Sequence, residues 1–201
     1  MKIVAVLILV AASFLYSTIL AHAKDCPGIG NIEDYPNLPI YKGACLIGGS
    51  SGAFAKFTLT TGPFVKVTSA ATSENLEGTL DRRLYVAPEG ISATDLFLNY
   101  TQGLEAAGYS ILFTCAGNEC GSKNALLRKK IVYPSDRHLK NVRGLSDLAF
   151  GPFGDEHYLA ARSKDDTISI AVYVGSNSRS PFPDISVHAI VHLDILTTAS
   201  L

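Results

Sequence analysis

An aspartate, a glutamate and a histidine stand side by side at Asp155, Glu156 and His157. A carboxylate close to an imidazole is a pairing that general acid–base catalysis uses. Adjacent residues of an extended chain point to opposite faces, however, so adjacency alone does not bring these groups together. The cluster is therefore a candidate either for catalysis or for lining a binding groove.

Ser50 is the second residue that could do chemistry. It lies in Gly-Gly-Ser-Ser-Gly at residues 48–52, which matches the G-x-S-x-G pattern of a nucleophile elbow on a sharp strand-to-helix turn. Too few residues precede the motif to build the strands that support such an elbow, and residues 53–59 predict a strand rather than a helix. The sequence favours a Gly/Ser-rich turn, and a hydrolase using Ser50 is the alternative.

The C-terminal residues carry another polar set. His188 and His192 are four residues apart in a segment that alternates as a strand. At this spacing they would lie about 13 Å apart and could not share a metal ion. His192 and Asp194 would be same-face neighbours about 7 Å apart, which a solvated strand face explains as well as a site does. No metal set and no cofactor motif is predicted. The candidate binding residues are Arg82, Arg162, His157, His192 and Asp194.

One helix is the clearest element that could position these residues. Ser92 is typical of an N-cap, Asp95 of the third helical position and Gly108 of a helix stop, which predicts a helix over 92–107. Alternating apolar residues predict strands over 54–59, 76–87, 109–115, 157–163, 167–174 and 186–195. Residues 24–53, rich in Pro and Gly, predict a loop with at most short extended pieces. The predicted fold class is α+β, a mostly antiparallel sheet with one principal helix packed on a face.

The first 23 residues predict the compartment. Lys2 precedes an apolar run, and Ala21 and Ala23 place small residues at the −3 and −1 positions of a signal-peptidase site. A membrane anchor is the competing interpretation, because the run approaches the roughly 20 residues that span a bilayer. We expect a cleaved signal peptide over 1–23 and a single exported domain over 24–201, with no membrane span after cleavage.

The net charge limits the classes of partner, and the cysteines predict disulfides. With 17 basic and 18 acidic residues, the chain has no net charge that would favour nucleic acid, an anionic membrane surface or an acidic substrate. Four cysteines in an exported chain predict disulfides, for which three pairings exist. Proximity along the chain favours Cys26 with Cys45 and Cys115 with Cys120, which gives the domain two disulfide bonds.

Several short motifs occur in an order that resembles a known family. They include Asp34-Tyr35-Pro36-Asn37-Leu38-Pro39, Leu84-Tyr85-Val86-Ala87-Pro88, Leu104-Glu105-Ala106-Ala107-Gly108-Tyr109 and His157-Tyr158-Leu159-Ala160-Ala161-Arg162. Together they resemble an uncharacterised Gram-negative envelope family, a domain of unknown function often followed by an OmpA-like peptidoglycan-binding domain. The resemblance implies a periplasmic or outer-membrane-associated location and brings no established activity. Here we expect a stand-alone domain.

Three function classes follow from these observations. The first is a non-catalytic binding or adaptor module of unknown ligand, whose partner is an envelope protein or a cell-wall component. The second is a periplasmic hydrolase using Ser50 or the cluster of Asp155, Glu156 and His157, which would need Ser50 within hydrogen-bond reach of a histidine. The third is an inhibitor or immunity-type protein for a secreted enzyme. The sequence favours the first class, because no nucleophile, metal set or cofactor loop stands out.

Overall fold

The computed structural model describes residues 32–66, 69–121, 154–176 and 188–198. Its elements are β1 Cys45–Thr60, β2 Phe64–Lys66, β3 Ser69–Ala70, β4 Ser73–Val86, α1 Ala93–Ala106, β5 Ser110–Ala116, a 3-10 turn Gly117–Cys120, β6 Gly154–Arg162, β7 Ile168–Ser176 and β8 Ala189–Thr197. Six strands form one sheet in the order β1-β4-β8-β7-β6-β5, with every neighbouring pair antiparallel. The predicted antiparallel sheet with one helix is confirmed, although strands dominate the described residues.

α1 packs on one face of the sheet and begins and ends where its sequence signals predict. The Ser92 hydroxyl accepts a hydrogen bond from the Asp95 N–H at 3.0 Å, which satisfies one of the free donors of the first turn. Gly108 follows the helix with a left-handed φ of 87°. The helix buries Ala93, Leu96, Tyr100 and Leu104 against apolar residues of β6, β7 and β8.

Residues 32–44 lie on the same face as α1 and form part of its packing. Pro39 is so close to the helix that a Cβ on Gly103 would lie 2.3 Å from the Pro39 Cβ. Asp34 accepts a hydrogen bond of 2.9 Å from the hydroxyl of the buried Tyr85 on β4. This segment is therefore anchored to both the helix and the sheet.

The prediction that residues 24–53 form a loop is wrong for their last part, because β1 begins at Cys45. The glycines of this stretch lower its strand propensity, but pairing with β4 supplies the backbone hydrogen bonds of a sheet. The register slips between Ser50 and Ala53, where Gly52 has a left-handed φ of 72°. The glycine thus permits a bulge rather than ending the strand.

The outer halves of β1 and β4 continue past the end of β8 as a two-stranded ribbon, which we define as residues 55–60 and 73–78. β4 pairs with β1 along its whole length but with β8 only from Thr79 onward. Where the ribbon leaves the sheet, a Cβ on Gly78 would lie 2.3 Å from the carbonyl oxygen of Thr197. Close backbone approach at this crossing therefore requires glycine.

The ribbon packs on the face of the sheet opposite α1. Its side chains Phe57 and Leu59 share an apolar cluster with Tyr158 of β6 and Tyr173 of β7. The Tyr158 hydroxyl donates to the Thr60 carbonyl at 3.1 Å. Because both faces of the central strands are covered, β7 and β8 are buried on both sides.

The predicted Cys115–Cys120 disulfide is confirmed and joins the end of β5 to the 3-10 turn. Cys45 is also disulfide-bonded. Its predicted partner, Cys26, lies outside the described residues, as does the predicted signal peptide over 1–23. In the part of the chain that the structure describes, no helix is both long and apolar enough to cross a membrane.

Candidate functional site

Asp155 and His157 meet at the start of β6. The pairing of β6 with β7 slips between Gly154 and His157, and Asp155 adopts a left-handed φ of 53° within this bulge. The Asp155 Oδ1 atom consequently lies 2.9 Å from His157 Nε2. Residues two apart already share one face of a strand, and the contact forms where β6 has its register slip and its left-handed residue. Glu156, the third member, lies between them in sequence and is buried.

Two residues of α1 complete this arrangement. Thr94 Oγ1 lies 3.4 Å from Asp155 Oδ2 and 3.3 Å from His157 Nε2. The Phe97 ring stacks on the imidazole with 4.8 Å between the ring centroids. We refer to Thr94, Phe97, Asp155 and His157 as the His157 cluster. It joins the first turns of α1 to the beginning of β6.

The contact with Asp155 places a proton on His157 Nε2. An ionised carboxylate only accepts hydrogen bonds, so a separation of 2.9 Å requires an Nε2–H donor. The other ring nitrogen, Nδ1, is buried and has no hydrogen-bond partner within the described ranges. A proton there would leave a buried donor unsatisfied, at a cost of about 1–3 kcal/mol. The geometry therefore favours the tautomer that carries its proton on Nε2.

The two side chains differ in burial, with the imidazole of His157 inside and the carboxylate of Asp155 facing solvent. We call this the inside-to-outside order. The His157 side chain is 7% exposed and the Asp155 side chain is 48% exposed. In a catalytic triad the order is reversed, because a buried carboxylate orients an imidazole whose second nitrogen faces the nucleophile. Thr94 approaches the same nitrogen that donates to Asp155, so His157 cannot accept the Thr94 proton in this state. The cluster presents a fixed carboxylate acceptor rather than a base.

Two electrostatic effects act on a cation at Asp155, and they oppose each other. The N-terminus of α1 repels a cation by about 0.3–1 kcal/mol at an exposed position. An exposed ion pair with the carboxylate, which is 48% exposed, is typically worth about 0.2–1 kcal/mol. Asp155 has no Lys or Arg ion-pair partner among the described residues. Asp155 therefore offers a carboxylate that no cation within the described ranges neutralises, at the end of a helix whose dipole opposes a cation.

The His157 cluster is poorly suited to a metal ion. It offers one carboxylate and one imidazole, whereas no group of three or more His, Cys, Asp or Glu in the described part of the chain could hold a metal ion. A metal-bound histidine also normally donates its second N–H to a nearby acceptor, which Nδ1 of His157 lacks among the described residues. We assign no metal site to it.

The predicted pair of His192 and Asp194 lies on the opposite side of the sheet. Both residues face the ribbon side, and Arg82 Nε on β4 donates to Asp194 Oδ1 at 3.1 Å. Asp194 is 0% and His192 1% exposed. The interpretation of this strand face as solvated is therefore wrong, because the ribbon side of the sheet is also covered. Arg82 and Asp194 pair inside the domain, and His192 is buried on the same strand face.

Arg162 also holds the domain together. Its terminal nitrogen lies 2.6 Å from Glu74 Oε2 on the ribbon, and its Nε donates to Ser169 Oγ at 3.3 Å. The ion pair ties the ribbon to β6 and β7. Arg162 thus faces a partner within the chain.

Ser50 lies on β1 without the surroundings of a nucleophile. The chain is strand on both sides of it, so the strand-to-helix turn of a nucleophile elbow does not form. Its carbonyl accepts a hydrogen bond of 3.0 Å from the buried Arg83. β1 and β6 are separated by three other strands in the order of the sheet. Among the described residues, no hydrogen bond joins Ser50 to His157.

Sequence reasoning missed Thr94 and Phe97 as members of the site. Thr94 resembles any polar residue of a first helical turn, and Phe97 belongs to the apolar stripe of α1. Their role comes from the packing of α1 across the bulged start of β6. Comparison with protein-family models and with curated proteins gives no match. The resemblance to an envelope family therefore stays a prediction.

Proposed function

We propose that this protein is an exported, non-catalytic binding or adaptor module of the Gram-negative envelope, built as a single α+β domain over residues 24–201. The observation that carries the proposal is the inside-to-outside order of His157 and Asp155. A buried imidazole holds a solvent-facing carboxylate in one orientation. Such an arrangement recognises a ligand without offering a base to activate a nucleophile.

The polar residues that could otherwise support catalysis are engaged in structural contacts. Arg82 binds Asp194 inside the domain, and Arg162 binds Glu74 of the ribbon. Ser50 lies on β1 and, among the described residues, makes no hydrogen bond to His157 on β6. These contacts favour binding over hydrolysis for the described residues.

The proposed compartment rests on sequence features. The apolar leader with its Ala21-His22-Ala23 site supports export, and the motif order supports a periplasmic or outer-membrane-associated location. Disulfide-bonded cysteines fit an oxidising compartment. An envelope protein or a cell-wall component is the proposed partner.

The test is a pull-down from envelope extract with the oxidised protein, run beside the same protein after reduction and alkylation. We expect the oxidised protein to recover one partner or cell-wall fragment at a stoichiometric level and the reduced protein to recover none. A parallel screen measures ester, amide and glycoside hydrolysis by the wild type and by Ser50→Ala and His157→Ala. Hydrolysis that either substitution abolishes would contradict the proposal.

A further inference from the structure

We infer that the His157 cluster is a receptor for a positively charged side chain, an alkylammonium or guanidinium group on an aliphatic stem, presented by a partner protein. The inference rests on the proposed binding function and names the chemistry that the site recognises. Asp155 provides the charge, and the surrounding residues fix its direction.

The carboxylate of Asp155 retains acceptor capacity toward solvent. A carboxylate offers about four lone-pair sites, of which His157 Nε2 occupies one at 2.9 Å and the Thr94 hydroxyl one at 3.4 Å. The remaining sites belong to a side chain that is about half exposed. No lysine or arginine pairs with it within the described ranges. An N–H donor carrying positive charge is the complement of such a group.

An exposed leucine lies on the same face of α1 as Thr94, which contacts the carboxylate. Leu98 is one helical turn beyond Thr94, and this residue is 47% exposed. The aliphatic stem of a lysine or arginine could cover Leu98 while its charged end reaches Asp155. A bare metal ion or a small inorganic cation would leave this apolar surface uncovered. The pairing of a carboxylate with an exposed leucine therefore favours a cation on a stem.

The site is organised before a ligand arrives. Asp155 holds a left-handed backbone conformation, and the imidazole behind it is both buried and stacked on Phe97. Thr94 is fixed by the helix that carries it. Little side-chain freedom remains to be lost on binding, which strengthens an otherwise exposed charge pair.

A matched control exists within the same strand pair. Asp166, in the turn between β6 and β7, is also an exposed aspartate with a left-handed φ, of 59°. Asparagine tolerates this backbone conformation, so Asp155→Asn and Asp166→Asn each remove one carboxylate with little backbone perturbation. The two variants differ in whether the lost carboxylate belongs to the His157 cluster.

The experiment is an NMR titration of the full chain, produced with its leader and purified with disulfides formed. The probe is N-acetyl-L-arginine amide, and the control ligand is N-acetyl-L-citrulline amide, which has a similar stem without charge. We expect saturable shifts at the amides of Thr94, Asp155 and His157 with the arginine probe alone. Asp155→Asn should weaken binding at least fivefold, and Asp166→Asn should leave it unchanged. Equal binding of citrulline, or unchanged binding by Asp155→Asn, would overturn the inference.

A second experiment asks whether the cation comes from a partner protein, and it tests this site separately from the proposed function. An arginine-containing peptide from the recovered partner should compete with the probe at lower concentration than the free amino-acid amide does. If the free amide binds as tightly as the peptide, the site serves a small amine and the partner-protein assignment is wrong. A partner recovered equally by wild type and Asp155→Asn would leave the binding function standing and refute this site. Probe binding at Asp155 without any partner recovered in the pull-down would support this site and count against the proposed binding function.

Discussion

Gly103→Ala should destabilise the protein, although alanine in a helix interior normally stabilises. The exchange gains about 1 kcal/mol of helix propensity. The new Cβ, however, would lie 2.3 Å from Cβ and 2.7 Å from Cγ of Pro39, whereas carbon atoms pack at about 3.5–4.0 Å. Pro39 must therefore move by roughly 1 Å, and overpacking of this kind costs about 1–3 kcal/mol. We expect a net loss of about 1 kcal/mol in the free energy of unfolding.

A double-mutant cycle separates the clash from the propensity gain. Pro39→Gly removes both ring carbons that the new methyl group would meet, so Gly103→Ala in that background should raise stability by about 1 kcal/mol. Gln102→Ala, at an exposed position of the same turn, controls for general effects on α1. The assay is urea unfolding followed by circular dichroism. If Gly103→Ala stabilises the protein equally in both backgrounds, residues 32–44 do not pack on the helix.

Three further predictions concern the core. Burial raises the pKa of the Tyr85 and Tyr100 phenols. Because the unfolded chain releases these protons at lower pH than the folded protein, the free energy of unfolding should fall above pH 10, by up to about 1.4 kcal/mol per pH unit for each tyrosine. Absorbance at 295 nm that shows all tyrosines ionised in the folded protein would contradict this. Arg82→Met should cost about 3–5 kcal/mol because it removes the Arg82 guanidinium from the buried Asp194 carboxylate. A loss below about 1 kcal/mol in urea unfolding would show a solvated pair. Cys120→Ala should cost about 2 kcal/mol, since its disulfide closes a short loop with a sequence separation of 5; an unchanged melting curve would show that the disulfide adds nothing.

The sequence predicts α1 well because its signals are local. Ser92 satisfies a free N–H of the first turn, and Gly108 adopts the left-handed conformation that ends the helix. Alternation likewise identifies which residues share a strand face, including His192 and Asp194. It does not say what covers that face. The burial of both residues depends on the ribbon side of the sheet being covered, which is a property of the assembled fold.

The candidate site was only partly predictable for a related reason. Asp155 and His157 stand out as residue types and, being two residues apart, could share a strand face. The register slip of β6 and the left-handed conformation of Asp155 at their contact are not visible in the sequence. Thr94 joins them from a helix more than fifty residues earlier in the chain. Contacts between distant elements leave no periodic pattern, so neither the cluster nor its inside-to-outside order follows from local sequence.

The tautomer of His157 tests the central claim most directly. A long-range ¹H–¹⁵N NMR correlation at neutral pH reports which ring nitrogen carries the proton. If His157 holds Asp155 as a fixed acceptor, Nε2 is protonated and Nδ1 is not. A proton on Nδ1, with Nε2 free to accept from the Thr94 hydroxyl, would contradict the binding interpretation and would describe a base facing a hydroxyl, as a catalytic site requires.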